Sequence, residues 1–216
     1  MVHNSLAMAL DAVNEALFDG RSLSKAEKEE ATRWIASRQA EIGQQAGLFA
    51  PTEDDYQEGV RLFTGERLRT KLAARNILTV EAARALILFD MSEDILERTN
   101  RWLLGQCFAG ACTVGECAHS TAGLMRYLAV GGLADSEKRL NAHIAALSQH
   151  RDGRGRWRRF PFYYTLLALS ETDLPAAVEE MRYAALACER LLRRSPKGDL
   201  FAPRQRAVME RVLARC

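Results

Sequence analysis

The run richest in reactive side chains is Cys107-x4-Cys112-x4-Cys117-Ala-His119. Thiolate sulfur and imidazole nitrogen are the donors zinc prefers, and four of them can close a structural site. The spacing matches no common zinc or iron–sulfur pattern, in which paired ligands typically stand roughly two to four residues apart. The favoured reading is a tight, Gly-rich loop of small apolar residues without a cofactor. Zinc at Cys107, Cys112, Cys117 and His119 is the second reading. The third is a reactive Cys117 thiol, set just before a helix that starts near Ser120-Thr121.

A second unusual run is His150-Arg-Asp-Gly-Arg-Gly-Arg-Trp-Arg-Arg-Phe160, with five arginines, two glycines and two further aromatics in eleven residues. A solvated loop with Trp157 and Phe160 tucked inward is one reading. Guanidinium groups on a Gly-flexible backbone also suit a phosphate or diphosphate cradle. Arginine beside aromatics suits single-stranded nucleic acid as well. Pro161-Phe162-Tyr163-Tyr164 follows at once, and three successive aromatics cannot share one helix face. The candidate ligand site is therefore Arg154, Arg156, Arg158 and Arg159, with Tyr163, Tyr164 and Arg126. No catalytic residue stands out.

The elements that would position these residues are helices. Leu6, Leu10, Val13 and Leu17 recur at helical spacing and Gly20 stops the run. Ser24-Lys-Ala-Glu27 has the form of a capping box. Thr52-Glu-Asp-Asp55 places carboxylates in a first turn, where the helix dipole favours them. Starts are expected at Ser92, Asp135, Asp173 and Pro203, and stops at Gly131-Gly132 and Pro196-Lys-Gly198. No segment alternates with the period of two that marks a strand. The expectation is one all-α domain over 1–216. Its parts are N-terminal helices to about 75, three αα-hairpins over about 76–195 and a final helix over about 200–216.

The three hairpins share a plan: helix, tight turn, helix. They begin near Thr79, Thr121 and Thr165, with turns at Met91-Ser92, Gly131–Asp135 and Thr172-Asp173. Arg84 and Arg126 each lie five residues after their threonine. One such unit cannot bury its apolar face alone, so stacked hairpins around a shared core are expected. Three helix ends lead into Gln-x3-Gly: Gln39–Gly43, Gln106–Gly110 and Gln149–Gly153, the last followed by Gly155-Arg-Trp157. This signature resembles the QW-type repeat of squalene and terpenoid cyclases and of protein prenyltransferase β subunits. The resemblance spans roughly residues 33–195 and implies a partial α/α toroid or a curved helical layer. It carries over no catalytic residue. The cyclases' Asp-x-Asp-Asp is absent, and Glu116 rather than Asp-x precedes Cys117, so the prenyltransferase zinc motif is absent too.

Bulk composition limits the remaining choices. The chain has 216 residues, 48% hydrophobic and 27% charged, an ordinary globular balance. Of its 30 basic residues 25 are Arg, yet the net charge is only +2, which disfavours nucleic acid or an anionic membrane as partner. No run of about 18 apolar residues marks a membrane span. Residues 1–5 carry no basic cluster of a secretory signal. Five cysteines without a paired framework point to free thiols and the cytoplasm. The expected function is a toroid-like binder of an apolar or isoprenoid-like ligand with an anionic head group, catalysis being open. A helical-repeat scaffold for a protein partner or a second copy is the alternative, and nucleic acid binding through the Arg loop ranks below it.

Overall fold

In a computed structural model, the protein is described over residues 4–90, 93–194 and 200–216. The turn expected at Met91-Ser92 and the stop at Pro196-Lys-Gly198 lie outside the described residues, as do residues 1–3. The described residues form ten α-helices and two short 3-10 turns and contain no strand beyond three isolated bridges.

The helix starts follow their capping residues. In α1 (Leu6–Phe18), Ser5 caps Met8 N–H, and the buried Asp55 carboxylate accepts from Ser5 Oγ and from the Leu6 and Ala7 N–H groups. The same carboxylate completes a capping box with Thr52 at the start of α3 (Glu53–Glu58). One acid thus satisfies free N–H groups of two helices. Ser24 and Glu27 form the expected box at α2 (Lys25–Ala36). Thr70 caps α4 (Lys71–Leu88), and α5 spans Glu93–Leu104. Then come α6 (Cys117–Ala129), α7 (Ser136–Ser148), α8 (Phe162–Ser170), α9 (Pro175–Leu192) and α10 (Ala202–Leu213). Several starts differ from expectation: α4 begins at Lys71, eight residues before Thr79, and α10 at Ala202, one before Pro203. Helix α9 is capped at Leu174, with Pro175 in its first turn, and α6 begins at Cys117, three residues before Ser120.

Helices α4, α6 and α8 form a buried row: α4 packs on α6 and α6 on α8. Asn76–Leu86 of α4, Ser120–Leu128 of α6 and Tyr164–Ser170 of α8 are buried without interruption, including Thr79, Thr121 and Thr165. Helices buried on every side make up the interior, and the charged side chains they bury there, Glu81, Arg84 and Arg126, are paired. Each leans on the helix that follows it, α5, α7 and α9 respectively, and these bury one face only. Helices α1 and α2 cover α4, while α10 covers α8 and α9. Among the described residues no helix is long and apolar enough to cross a membrane.

The three Gln-x3-Gly copies play different parts. Gln39 is buried and reaches α5, donating to Ile95 O and Thr99 Oγ1 while accepting from Arg98. Beside it Gly47 has φ +92, and a Cβ there would lie 2.2 Å from Arg98 O. Gln106 bonds the Trp102 carbonyl at the end of its own helix. Gln149 is the C-cap of α7.

Candidate functional site

Charge is gathered in two places, one inside and one at the surface. The inner group joins α1, α4, α6 and α8. Arg126 donates to Glu81 at 2.6 Å, to both oxygens of Glu171 at 2.7 and 2.8 Å, and to Asn14 at 3.1 Å. Arg84 donates to Asn14 and Glu171, and Asn14 and Tyr164 donate to Glu81. Two guanidiniums thus meet two carboxylates with charges balanced. Burial pushes the Glu81 carboxyl up, but Arg126 and Arg84 outweigh it and hold the group below the ordinary carboxylate range. Burial also lowers Arg126, yet Glu171 and Glu81 outweigh it and hold its guanidinium firmly charged. The cavity beside Asn14, Glu81 and Tyr164 has a volume of about 20 Å³, room for a single water. The network therefore fastens helices together rather than admitting a ligand. Arg84 and Arg126, five residues after Thr79 and Thr121, meet in it, so neither contributes to an arginine stripe at the surface.

The outer group is the Arg loop and its dock on α9. The loop doubles back through an Arg151–Trp157 bridge, with Asp152 N–H donating to Arg156 O and Arg158 N–H to His150 O. Asp152 Oδ1 accepts from the N–H groups of Arg154 and Arg156 and from Tyr183. Burial raises the Asp152 carboxyl, but these donors together outweigh it and hold the group below its ordinary value. Glu180, buried on α9, accepts from Arg151 on both oxygens and from the Trp157 indole. That contact raises the Arg151 guanidinium further. Trp157 and Phe160 are buried, as the solvated-loop reading expects.

With the loop pinned in this way, its outer side and α9 enclose a groove of about 560 Å³. Its walls are Gly153, Arg154 and Gly155 on one side and Tyr183, Leu186, Glu189, Arg190 and Arg193 on the other. A neighbouring hollow of about 150 Å³ is lined by Arg156, Ala187, Arg190, Leu191 and Arg194. Five arginines thus line the two hollows, with Glu189 the one acid in their walls among the described residues. Among the described residues no carboxylate forms an ion pair with Arg154, Arg156, Arg190, Arg193 or Arg194. Arg190 instead donates to the Leu186 and Arg154 carbonyls, and Arg156 lies over the Phe162 ring.

The structure thus brings Arg154 and Arg156 together and distributes the other expected site residues elsewhere. Arg158 and Arg159 are exposed on the loop outside the walls of both hollows. Tyr163 is half-buried, its N–H donating to Glu66, while Tyr164 and Arg126 belong to the inner network. Arg190, Arg193 and Arg194 were not singled out from sequence. Their signal was spacing: Tyr183, Leu186, Arg190 and Arg193 recur every three or four residues, as do Ala187, Arg190 and Arg194, one face of a helix.

The cysteines form a third group. The sulfurs of Cys107, Cys112 and Cys117 all lie within 4.8 Å of one another, close enough to hold a metal ion, and Cys107 and Cys117 are 3.4 Å apart. His119 is outside that set. Its ring is part-buried with Nδ1 unpartnered among the described residues, and burial lowers its pKa. Burial and the two neighbouring sulfurs push the Cys117 thiol up to about 12, while the Val114 N–H lowers Cys112.

No protein-family model matches the chain, and neither a curated protein nor a solved structure matches it. The class that fold and site define is thus an all-α protein with an arginine-lined groove and a thiol cluster.

Proposed function

We propose that the protein binds a small anionic ligand in the groove between the 151–159 loop and α9, with an apolar part of the ligand lying on Leu186 and Tyr183. The observation that carries this reading is the convergence of five arginines from two elements, none of them in a carboxylate ion pair among the described residues. Like charges held together repel, and a bound anion relieves this through charge-assisted, often bidentate hydrogen bonds. Leu186 is 70% exposed at the groove wall, which suits an isoprenoid-like or other apolar tail rather than a bare phosphate. We read α4–α5, α6–α7 and α8–α9 as three stacked αα-hairpins, the arrangement implied by the cyclase and prenyltransferase resemblance. The buried row of α4, α6 and α8 supports that reading, as do the matching depths of Thr79, Thr121 and Thr165. Free thiols suit a reducing compartment, so the cytoplasm is the proposed location. The proposed role is binding, with no reaction assigned.

The test is calorimetric titration of the full chain with a prenyl diphosphate and with pyrophosphate. The prenyl diphosphate should bind more tightly of the two. Arg154→Ala/Arg193→Ala should weaken it by at least tenfold, about 1.4 kcal/mol. These two side chains make no hydrogen bond among the described residues, so their removal leaves the loop's backbone bonds in place. Full affinity in the double variant, or no binding by the wild type, would overturn the reading.

A further inference from the structure

We infer that Cys107, Cys112 and Cys117 form a three-thiolate binding site for a soft, thiophilic metal ion, Zn2+ or Cu+, with one coordination position open to solvent. The argument rests on geometry. With metal–sulfur bonds of about 2.3 Å, two thiolates on a tetrahedral ion stand about 3.8 Å apart, and on a trigonal ion about 4.0 Å. The observed sulfurs bracket these values: 3.4 Å between Cys107 and Cys117, and no pair beyond 4.8 Å. Three sulfurs without nitrogen or oxygen form a donor set for thiophilic ions and against Mg2+ or Ca2+. A disulfide would use two of the three sulfurs and leave Cys112 unexplained.

The three thiols come from three local structures, and each is fixed from behind. Cys107 opens the 3-10 turn Cys107–Gly110, which is anchored by the wholly buried Phe108 with its carbonyl against His143 Nε2. Cys112 follows Ala111, whose φ of +58 reverses the chain, and the Cys112 carbonyl accepts from Thr121 on α6. Cys117 is the first residue of α6, and the preceding Glu116 is held by Arg69 N–H at 2.8 Å. Thr113, between them, contacts His150 at 2.8 Å. These contacts, none of which uses a sulfur, hold the backbone that carries the three thiols, as a preorganised site requires. Cys107 is exposed, which leaves the site reachable and its outward position free for a solvent or substrate donor. As each metal–sulfur bond forms, the thiol proton passes to solvent.

The test uses the full chain, reduced and freed of metal, titrated with Zn2+ and separately with Cu+ against a chelator of known affinity. Co2+ serves as the spectroscopic probe of zinc-type coordination. Expected results are one ion per chain, release of protons, a thiolate-to-cobalt charge-transfer band and loss of three titratable thiols. Cys112→Ser and Cys107→Ser should each weaken uptake by at least about tenfold, the scale that supporting contacts alone carry. Cys188→Ser/Cys216→Ser and His119→Ala should leave it unchanged. Circular dichroism of each serine variant separates loss of the site from loss of the fold. Uptake retained by the triple serine variant would overturn the inference. So would no uptake of either ion by the reduced wild type, or a Cys107–Cys117 disulfide as the only change the cluster undergoes.

Discussion

Glu81 sits where four helices exchange charge, and it has no room to be neutral without loss. Arg126, Tyr164 and Asn14 all donate to it in a buried setting. Glu81→Ala should destabilise the protein by about 3–5 kcal/mol, because two guanidiniums would remain buried against Glu171 alone. Urea unfolding would measure this, and a loss near zero would mean that the network is dispensable. The sign of the pH dependence follows from the lowered carboxyl. In the unfolded chain Glu81 takes up its proton in the ordinary carboxylate range, whereas in the folded chain it does so only at lower pH. Its stabilisation is thus complete above that range and disappears as pH falls through the folded value. The stability gap between wild type and Glu81→Gln should narrow steadily on acidification, and a constant gap would contradict this. The sequence paired Arg84 and Arg126 by their position after Thr79 and Thr121 but assigned Arg126 to a ligand site, and their burial against Glu81 and Glu171 was not legible. Nor were Asn14 and Glu171, because they approach from α1 and the end of α8, 67 residues from Glu81 and 45 from Arg126.

At the scale of elements, the caps show how closely local chemistry and structure agree. Ser24 and Glu27 act as their spacing predicts, because capping uses residues within one turn, whereas Asp55 lies in the expected first turn of α3 but also holds Ser5, Leu6 and Ala7 of α1 from far along the chain. The docking of the Arg loop depends on distant partners instead: Glu180 and Tyr183 lie about thirty residues from the groups they hold. Gly155 makes that docking close. Its φ is +87, and a Cβ there would lie 2.9 Å from Ala187 Cβ and 3.2 Å from Tyr183 O. Gly153 shares the positive φ but faces open space. Gly155→Ala should therefore push the loop off α9 and weaken prenyl diphosphate binding by at least tenfold. Gly153→Ala carries only backbone strain, about 1–2 kcal/mol, and should weaken binding less. Equal effects in a calorimetric comparison of the two would show that packing against α9 does not shape the groove. Helix α9 was legible from Pro175 and its spacing, whereas the first two turns of α4 were not, since Thr70 caps it well ahead of Thr79. Nor was the early start of α6, because Glu116 caps it without a side-chain bond to its own first turn.

For the whole molecule, the buried row of α4, α6 and α8 leaves the chemistry to the periphery. The arginine groove lies where a loop folds back on the outer helix α9, and the thiol cluster lies where the chain enters α6. Composition indicated neither place, since a net charge of +2 averages over a chain whose cations are locally crowded. The central claim is that the groove arginines, and not the buried ones, meet an anion. Two-dimensional NMR of the arginine Nε–Hε groups, recorded while a prenyl diphosphate is added, tests it most directly. The account predicts shifts confined to Arg154, Arg156, Arg190, Arg193 and Arg194, with Arg84 and Arg126 unmoved. Shifts spread evenly over exposed arginines, or none in the groove at saturating ligand, would contradict it.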